Sequence, residues 1–375
     1  MGERFQNFNS VRVISFFLAI ITVIIFAAVL KITSTVVLPF TVAVLLALVT
    51  SPLVNFLEKF HIPRIVSVFL VLIFLLGGLF FIGMIIFSSG RAIINLYPKY
   101  EARIVEIYIQ IARIFELPYD EHLSLFQNLW GQLGIRSQVR VMTLAFSNAF
   151  FSFLSYAGLV AIFMVFLLLE AVFLKKKLEM AFEGTRAIKI KKMSSDIMTE
   201  VTRYLSIKFF ISVANGILVG AGLWIIGVEF AAVWGVIQFI GNFIPNLGSI
   251  AVGVAATAFS LIQFWPAPAP IIATALVILI INLVIGFFLD PKITGDNLGL
   301  SPLVILISLL IWGYIWGFAG LILAVPMMVI IKIVCENIPV LEPVSILLGS
   351  RKAAIAARAG DGDGESDGQT TADDA

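Results

Sequence analysis

Long stretches without a single charged residue dominate this chain. They cover Val13–Leu30, Ile32–Leu57, Ile65–Gly90, Val141–Leu169, Phe209–Val228, Phe230–Leu289 and Leu298–Ile331. A helix needs roughly 20 apolar residues to cross about 30 Å of hydrocarbon, and most of these stretches reach that length. They are continuous apolar runs, unlike the alternating pattern of a membrane β-barrel. The pattern therefore predicts an all-α integral membrane protein.

The order of apolar and polar stretches predicts about six full spans plus two broken or re-entrant hairpin segments, about eight transmembrane elements in all. A small helical extracytoplasmic insert lies between the third and fourth spans. The predicted segments are spans one to three (1–89), the insert (90–140), span four (141–174), a basic cytoplasmic connector (175–203), a transport core with two broken segments (204–335) and a cytoplasmic tail (336–375), disordered from about 353.

The insert has the periodicity of amphipathic helices. Its first helix places apolar residues on one face, at Tyr100, Ile104, Ile107, Ile111 and Ile114. A second, shorter helix is predicted at about 121–134. The two helices could pack on each other as a hairpin, lie on the membrane surface or contact a neighbouring subunit.

Composition and charge agree with a membrane location. Of the 375 residues, 60% are hydrophobic and only 13% are charged, too few charges to cover the surface of a soluble domain of this length. Lys and Arg cluster before span one, between spans two and three, after span four and in the tail, which predicts cytoplasmic N- and C-termini. The net charge of +2 gives no reason to expect nucleic-acid binding, and Cys335 alone cannot form an internal disulfide.

The first broken segment falls within 229–263. Its centre reads Gly241-Asn242-Phe243-Ile244-Pro245-Asn246-Leu247-Gly248. Pro245 cannot donate a backbone hydrogen bond, and Gly241 and Gly248 allow a tight bend. Irregular backbone inside a membrane persists only where it is buried in protein or lines a wet cavity. The interruption is therefore expected to mark a functional site.

The second broken segment, 302–335, repeats this design. Its apolar halves flank Gly313-Tyr314-Ile315-Trp316-Gly317, and Gly320 and Pro326 follow closely. Paired interruptions of this kind are the best sequence indication of a transport site. We expect Gly241, Gly313, Gly317, Gly320 and Pro326 to act as hinges or gates. Re-entrant hairpins and double crossings both agree with the predicted orientation, and the short halves favour hairpins.

Few polar residues interrupt the apolar spans, and such residues usually face protein or water. The residues predicted to line a transport path are Gln238, Asn242, Pro245, Asn246, Gly248, Asn282 and Asp290. Asn242 and Asn246 could instead cap the broken helix, and Asn282 could bind a neighbouring helix. Asp290 could carry a proton or a cation, or could simply pair with Lys292 at the membrane boundary.

Three motifs resemble those of the autoinducer-2 exporter family. They are Asn242-Phe243-Ile244-Pro245-Asn246-Leu247-Gly248, then Asp290-Pro291-Lys292-Ile293 with Leu298-Gly299-Leu300-Ser301-Pro302, and finally Trp312-Gly313 with Leu323-Ala324-Val325-Pro326. The resemblance is strongest over about 200–335. It implies a bacterial inner-membrane transporter that forms a homo-oligomer, such as a pentamer. In this family an asparagine is usual where the present chain has Asp290.

Three functions fit these features. The first is a secondary transporter or exporter of a small polar solute, such as a signalling molecule, and the second is a sodium(cation)/proton antiporter that would use Asp290. The third is a non-transporting membrane scaffold that recruits a partner through 90–140. No enzymatic role or cofactor is expected, because the sequence has no nucleophile elbow or Walker loop, and its two histidines have no partner at metal-ligand spacing.

Overall fold

The computed structural model describes residues 2–114, 152–170, 173, 177, 180, 184–245, 247–289 and 299–349. Asn246, Asp290, the second predicted insert helix and the tail beyond 349 lie outside these residues. The chain divides into two compact units: one from 1–52, 159–202 and 298–375, the other from 53–158 and 203–297.

The described residues form helices, and no β-strand occurs among them. The helices are α1 (Gly2–Ile32), α2 (Ser34–Glu58), α3 (Arg64–Ile114), α4 (Ser152–Glu170), α5 (Gly184–Ile226), α6 (Ala231–Gly241), α7 (Leu247–Phe264), α8 (Pro268–Leu283), α9 (Pro302–Asn337) and α10 (Glu342–Leu348). A π-helical stretch, Val284–Leu289, extends α8.

Seven of the described helices contain a segment long and apolar enough to cross a membrane. The segments are Ser34–Glu58, Arg64–Gly90, Ser152–Glu170, Ile190–Ile226, Leu247–Phe264, Pro268–Gly286 and Pro302–Asn337. Many large apolar side chains on them are exposed, for example Phe74 at 77% and Trp224 at 76%, as expected of helices that face lipid. The expected all-α membrane fold is confirmed.

Helix α3 differs from the predicted division between span three and the insert. It runs unbroken for 51 residues, from Arg64 to Ile114. At 1.5 Å per residue this is about 76 Å, far longer than a single crossing requires. The predicted first insert helix is thus a continuation of α3 beyond its apolar segment, Arg64–Gly90. We call the continuation, residues 91–114, the α3 arm.

In the first unit, α9 reverses direction at one residue. Gly317 has φ 61° and ψ −137°, values that only glycine adopts readily. The halves on either side then pack together: Ser308 Oγ donates a hydrogen bond to the Ala324 carbonyl at 2.7 Å, and a Cβ on Gly320 would overlap the Trp312 carbonyl oxygen. The second predicted break is therefore a hairpin that turns at Gly317, whereas Gly313 remains helical.

Helices α1 and α2 contact other helices of the first unit. Trp316 Nε1 donates to the Leu30 carbonyl at 3.2 Å, and Lys31 Nζ lies 3.5 Å from the Tyr314 ring centroid, so α1 contacts the turn of α9. Phe40 of α2 meets Phe163 of α4 edge to face, with ring centroids 5.6 Å apart. Pro326 is fully buried in the second half of α9.

In the second unit, α6 and α7 form the hairpin predicted at the first break. Helix α6 has 11 residues, about 16 Å, which is too short to cross the hydrocarbon layer. The arms meet at two glycines, since a Cβ on Gly248 would overlap the carbonyl oxygen of Gly241. Apolar side chains of the hairpin pack with those of α5 and α8 in one core, which includes Leu223, Ala256 and Ile278.

Candidate functional site

Six uncharged polar side chains come together in the second unit, at the point where α5 and α8 meet the α6–α7 hairpin. We call them the amide cluster: Ser212, Asn215, Gln238, Asn242, Ser249 and Asn282. Ser212, Asn215, Gln238 and Asn242 are buried, whereas Ser249 and Asn282 are partly exposed. The cluster is therefore a polar centre within apolar stretches of these helices, such as the charge-free 209–226 of α5.

The hairpin turn places the first members of the cluster. Helix α6 ends at Gly241, and the turn is closed by backbone hydrogen bonds, among them Ile244 N to Gly241 O at 2.9 Å. Pro245 lies in the turn, where its missing N–H disrupts no helix. Gln238 and Asn242 are four residues apart, so their side chains lie on the same side of this short helix and its cap.

Two amide oxygens act as the shared acceptors of the cluster. Asn282 Oδ1 accepts from Gln238 Nε2 at 2.8 Å and from Asn215 Nδ2 at 3.3 Å. Asn242 Oδ1 accepts from Asn215 Nδ2 at 3.2 Å and from Ser249 Oγ at 3.3 Å. The outer bonds run from Asn242 Nδ2 to Ser212 Oγ at 2.9 Å and from Gln238 Nε2 to Ser249 Oγ at 3.1 Å.

This pattern leaves two buried acceptors unpaired. Asn215 Oδ1 and Gln238 Oε1 have no hydrogen-bond partner among the described residues, although these side chains are only 1% and 0% exposed. Rotating the amide of Asn215 would place its oxygen against the oxygens of Asn242 and Asn282. Leaving such a group unpaired costs about 1–3 kcal/mol. A ligand with hydrogen-bond donors, or a cation, would remove this cost.

The backbones of α5 and α6 approach each other closely beside the amide cluster. A Cβ on Gly216 would lie 2.7 Å from the Gly235 carbonyl oxygen, and one on Gly235 would lie 3.2 Å from Gly220 Cα. Small residues spaced by four let helix backbones approach in this way. Because Asn215 precedes Gly216, the same approach brings its side chain to the hairpin.

The structure assembles part of the predicted site. Gln238, Asn242 and Asn282 come together as cluster members, whereas Gly248 lies in the contact between the hairpin arms. Asn246 and Asp290 lie outside the described residues. Gly313, Gly317, Gly320 and Pro326 belong to the other unit and its own hairpin.

Three members of the cluster are not among the residues that the sequence predicts to line a transport path. Asn215 interrupts the apolar run of α5, and Ser212 lies three residues before it on the same helix face. The Gly216-x₃-Gly220 spacing that follows indicates close helix packing. Together these signals would have located the α5 contribution. Ser249 has no such signal, because only the hairpin turn brings it to Gln238.

Comparison with known proteins identifies the chain's relatives. The model of the AI-2E family transporter matches residues 17–339. A putative transport protein of Borreliella burgdorferi is 30% identical over 344 residues, covering 92% of this chain and 93% of the relative. A putative transport protein of Haemophilus influenzae is 28% identical, covering 88% and 95%, and the AI-2 transport protein TqsA of Escherichia coli is 27% identical, covering 84% and 89%. The chain therefore belongs to the AI-2E family of transporters, as its motifs predicted.

Proposed function

We propose that this transporter moves a small, uncharged polar solute across the bacterial cytoplasmic membrane and binds it at the amide cluster. The observation that carries the proposal is the pair of buried acceptors, Asn215 Oδ1 and Gln238 Oε1, which find no hydrogen-bond partner in the described part of the chain. Two acceptors in a cluster without charge match a ligand that offers hydrogen-bond donors. A solute that offers only hydrogen-bond acceptors would leave both oxygens unpaired.

The position of these oxygens supports a transport role over a purely structural one. Asn215 lies on α5, Gln238 on α6 and their common partner Asn282 on α8. A solute held by both acceptors would join α5 to the hairpin, so its binding energy would favour the arrangement in which these elements are packed together. A ligand shifts an equilibrium between two conformations by its difference in affinity for them. Loading and release would then move the hairpin against α5.

The short hairpin is the natural moving element. Helix α6 is too short to span the membrane, and it is followed directly by the turn that contains Pro245. Transporters commonly place substrate sites where helices are interrupted in this way. The sequence has no Walker loop, so we expect the energy to come from a solute or ion gradient. The cytoplasmic termini and the homo-oligomer remain predictions.

A sodium/proton antiporter would need an ionisable group that exchanges a proton for the ion. None of the six side chains of the amide cluster ionises near neutral pH. Exchange would have to use another residue, and Asp290 is the sequence's best candidate. The amide cluster alone therefore has no group that could exchange a proton for sodium.

The experiment uses purified protein in liposomes and a panel of labelled solutes: AI-2, which the name of the Escherichia coli relative suggests, and then ribose, glycerol and glycine. A parallel set of liposomes contains a pH-sensitive dye and receives sodium under an imposed proton gradient. We expect protein-dependent flux of at least one neutral solute. Collapse of the proton gradient on addition of sodium, with no flux of any neutral solute, would instead support the antiporter.

Variants then assign the flux to the amide cluster. Gln238→Ala removes an unpaired acceptor and two hydrogen bonds, and we expect it to lower flux at limiting solute about tenfold or more, since 1.4 kcal/mol corresponds to a factor of ten. Ser249→Ala is compared with Ser260→Ala on the same helix, because Ser260 is buried but bonds only to the Thr257 carbonyl. Wild-type flux in folded Gln238→Ala and Asn215→Ala proteins would refute the assignment.

A further inference from the structure

A second polar group lies in the same unit, at the end of the α6–α7 hairpin opposite its turn. Glu229, in the turn between α5 and α6, accepts hydrogen bonds from Lys99 Nζ at 2.6 Å and from the Tyr100 hydroxyl. Both donors belong to the α3 arm. The arm is therefore tied to the residue that precedes the hairpin.

Gln263 ties the two ends of the hairpin to each other. Its Oε1 accepts from the backbone N–H of Glu229 at 2.8 Å, and its Nε2 donates to the carbonyl of Gly227 at 2.8 Å. Gln263 lies near the end of α7, whereas Gly227 and Glu229 lie just before α6. One side chain thus closes the end of the hairpin that the Pro245 turn leaves open.

An aromatic contact supports the same junction. Phe259 of α7 meets Tyr100 of the arm at 5.4 Å between ring centroids, Phe230 at 5.9 Å and Trp234 of α6 at 5.7 Å. Tyr100 therefore contacts α7 with its ring and Glu229 with its hydroxyl. The arm cannot move away without breaking both contacts.

The backbone at this junction is held in an uncommon conformation. Phe230 has φ 59°, in the left-handed region that bulky residues rarely adopt, and Gly227 has φ 86°. Strained residues of this kind persist only where surrounding contacts hold them, and they cluster at switch regions. Because Phe230 directly follows Glu229, loss of the Glu229 contacts would allow Phe230 to leave its strained backbone conformation.

The charges of the junction agree with a closed state near neutral pH. Partial burial acts to raise the pKa of the Glu229 carboxyl, but the hydrogen bonds from Lys99 and Tyr100 and the charge of Lys99 outweigh it, so that the pKa is lowered. Partial burial, followed by the hydrogen bond to Glu229 and its negative charge, raises the pKa of Tyr100. Glu229 thus stays ionised and Tyr100 stays protonated, the forms that the contacts require.

We propose that Lys99, Tyr100, Glu229 and Gln263 form a latch that holds the hairpin against α5, and that release of this latch opens the amide cluster. The proposal rests on the proposed function in one respect, namely that opening the amide cluster serves solute exchange. The α3 arm would then regulate access to the amide cluster, because displacement of the arm would loosen the hairpin.

A residue of the amide cluster, Ser212, can report movement of the hairpin away from α5. Ser212 is fully buried on α5, and Asn242 at the end of α6 bonds to it. Movement of the hairpin away from α5 must uncover Ser212. In a Cys335→Ala background, Ser212→Cys therefore reports the opening by its rate of reaction with 2-aminoethyl methanethiosulfonate. The full chain is studied in lipid nanodiscs.

Two variants weaken the latch with small changes: Tyr100→Phe removes one hydroxyl and Lys99→Gln removes one charge. The matched control is Glu106→Gln, which breaks an ion pair with Arg103 within the same arm, a pair that does not reach the hairpin. We expect both latch variants to react at least fivefold faster than the parent and the control to react within twofold of it. The exchange Lys99→Glu with Glu229→Lys is expected to return the rate towards that of the parent.

Equal reaction rates in the parent, both latch variants and the control would overturn the latch. Size-exclusion profiles verify folding, and the conservative Tyr100→Phe change keeps the comparison valid where a charge change lowers the yield. The outcome is independent of the proposed function: normal flux in Gln238→Ala would refute solute binding at the amide cluster without altering these reaction rates, and equal rates would refute the latch whatever the flux.

Discussion

Because Gly241 and Gly248 are in contact, we expect Gly248→Ala to destabilise the protein far more than Gly241→Ala. In Gly248→Ala, the new Cβ would lie 3.0 Å from Gly241 Cα and would overlap the Gly241 carbonyl oxygen. In Gly241→Ala, the nearest atoms would be Val252 Cγ2 at 3.0 Å and the Gly248 carbonyl oxygen at 3.3 Å. The same pair of glycines therefore predicts two different outcomes.

The expected loss of stability depends on which atoms each substitution displaces. Gly241→Ala mainly displaces the tip of a valine side chain, which costs about 1–3 kcal/mol in a packed core. Gly248→Ala places its Cβ against the backbone O, C and Cα atoms of Gly241, so the hairpin arms must separate by more than about 1 Å, and we expect a cost of at least about 3 kcal/mol. For a folding unit the size of the second unit, about 200 residues, the scale is about 2–4 °C per kcal/mol, so this change lowers the apparent Tm by roughly 6 °C or more.

The assay compares apparent Tm and solute flux in the two variants. Gly77→Ala on α3 is the control, because a Cβ there would meet nothing within 4 Å. Separation of the arms would also stretch the Gln238–Ser249 hydrogen bond, now 3.1 Å, so flux should fall together with Tm in Gly248→Ala. Equal Tm values for Gly248→Ala and Gly241→Ala would show that the arms do not meet as described.

Three further predictions test other parts of the molecule. Gly320→Ala should lower the apparent Tm as Gly248→Ala does, because its Cβ would overlap the Trp312 carbonyl; a Tm equal to that of wild type would contradict the second hairpin. Asn282→Asp keeps the acceptor but adds an ionisable group, so neutral-solute flux should become pH-dependent and rise as pH falls; a flat pH profile would remove Asn282 from the path. Glu229 has a lowered pKa, so its contribution to stability is present above its usual value of 4.5 and is lost as pH falls through the lowered value. Tyr100 has a raised pKa, so its contribution is lost as pH rises above its usual value of 10.0. Hydrogen exchange at the turn between α5 and α6, corrected for its intrinsic rate, should therefore be constant between about pH 5 and 9 and should increase outside that range.

The local sequence predicts that the two hairpins exist, but it does not predict all of their details. Gly241, Pro245 and Gly248 predicted a break because glycine and proline act on the backbone within a few residues. The second break was placed at 313–317, and the actual reversal is at Gly317 alone. Glycine permits a positive φ but does not require one, so contacts such as that of Ser308 with Ala324 decide which glycine turns. Likewise, nothing in the sequence showed that α3 continues past Gly90, because an uninterrupted helix leaves no local signal there.

The sequence by itself determined the membrane fold, the two interruptions and the family, because length, apolarity and local backbone preference are properties of neighbouring residues. It also identified Gln238, Asn242 and Asn282 as costly polar groups in apolar helices. Only the tertiary structure decided that Asn215 and Ser212 join them and that Tyr100 meets Glu229, 129 positions away. The physical reason is that these contacts depend on the close approach of α5 to α6 and on the direction of the α3 arm. Both are set by packing between distant segments.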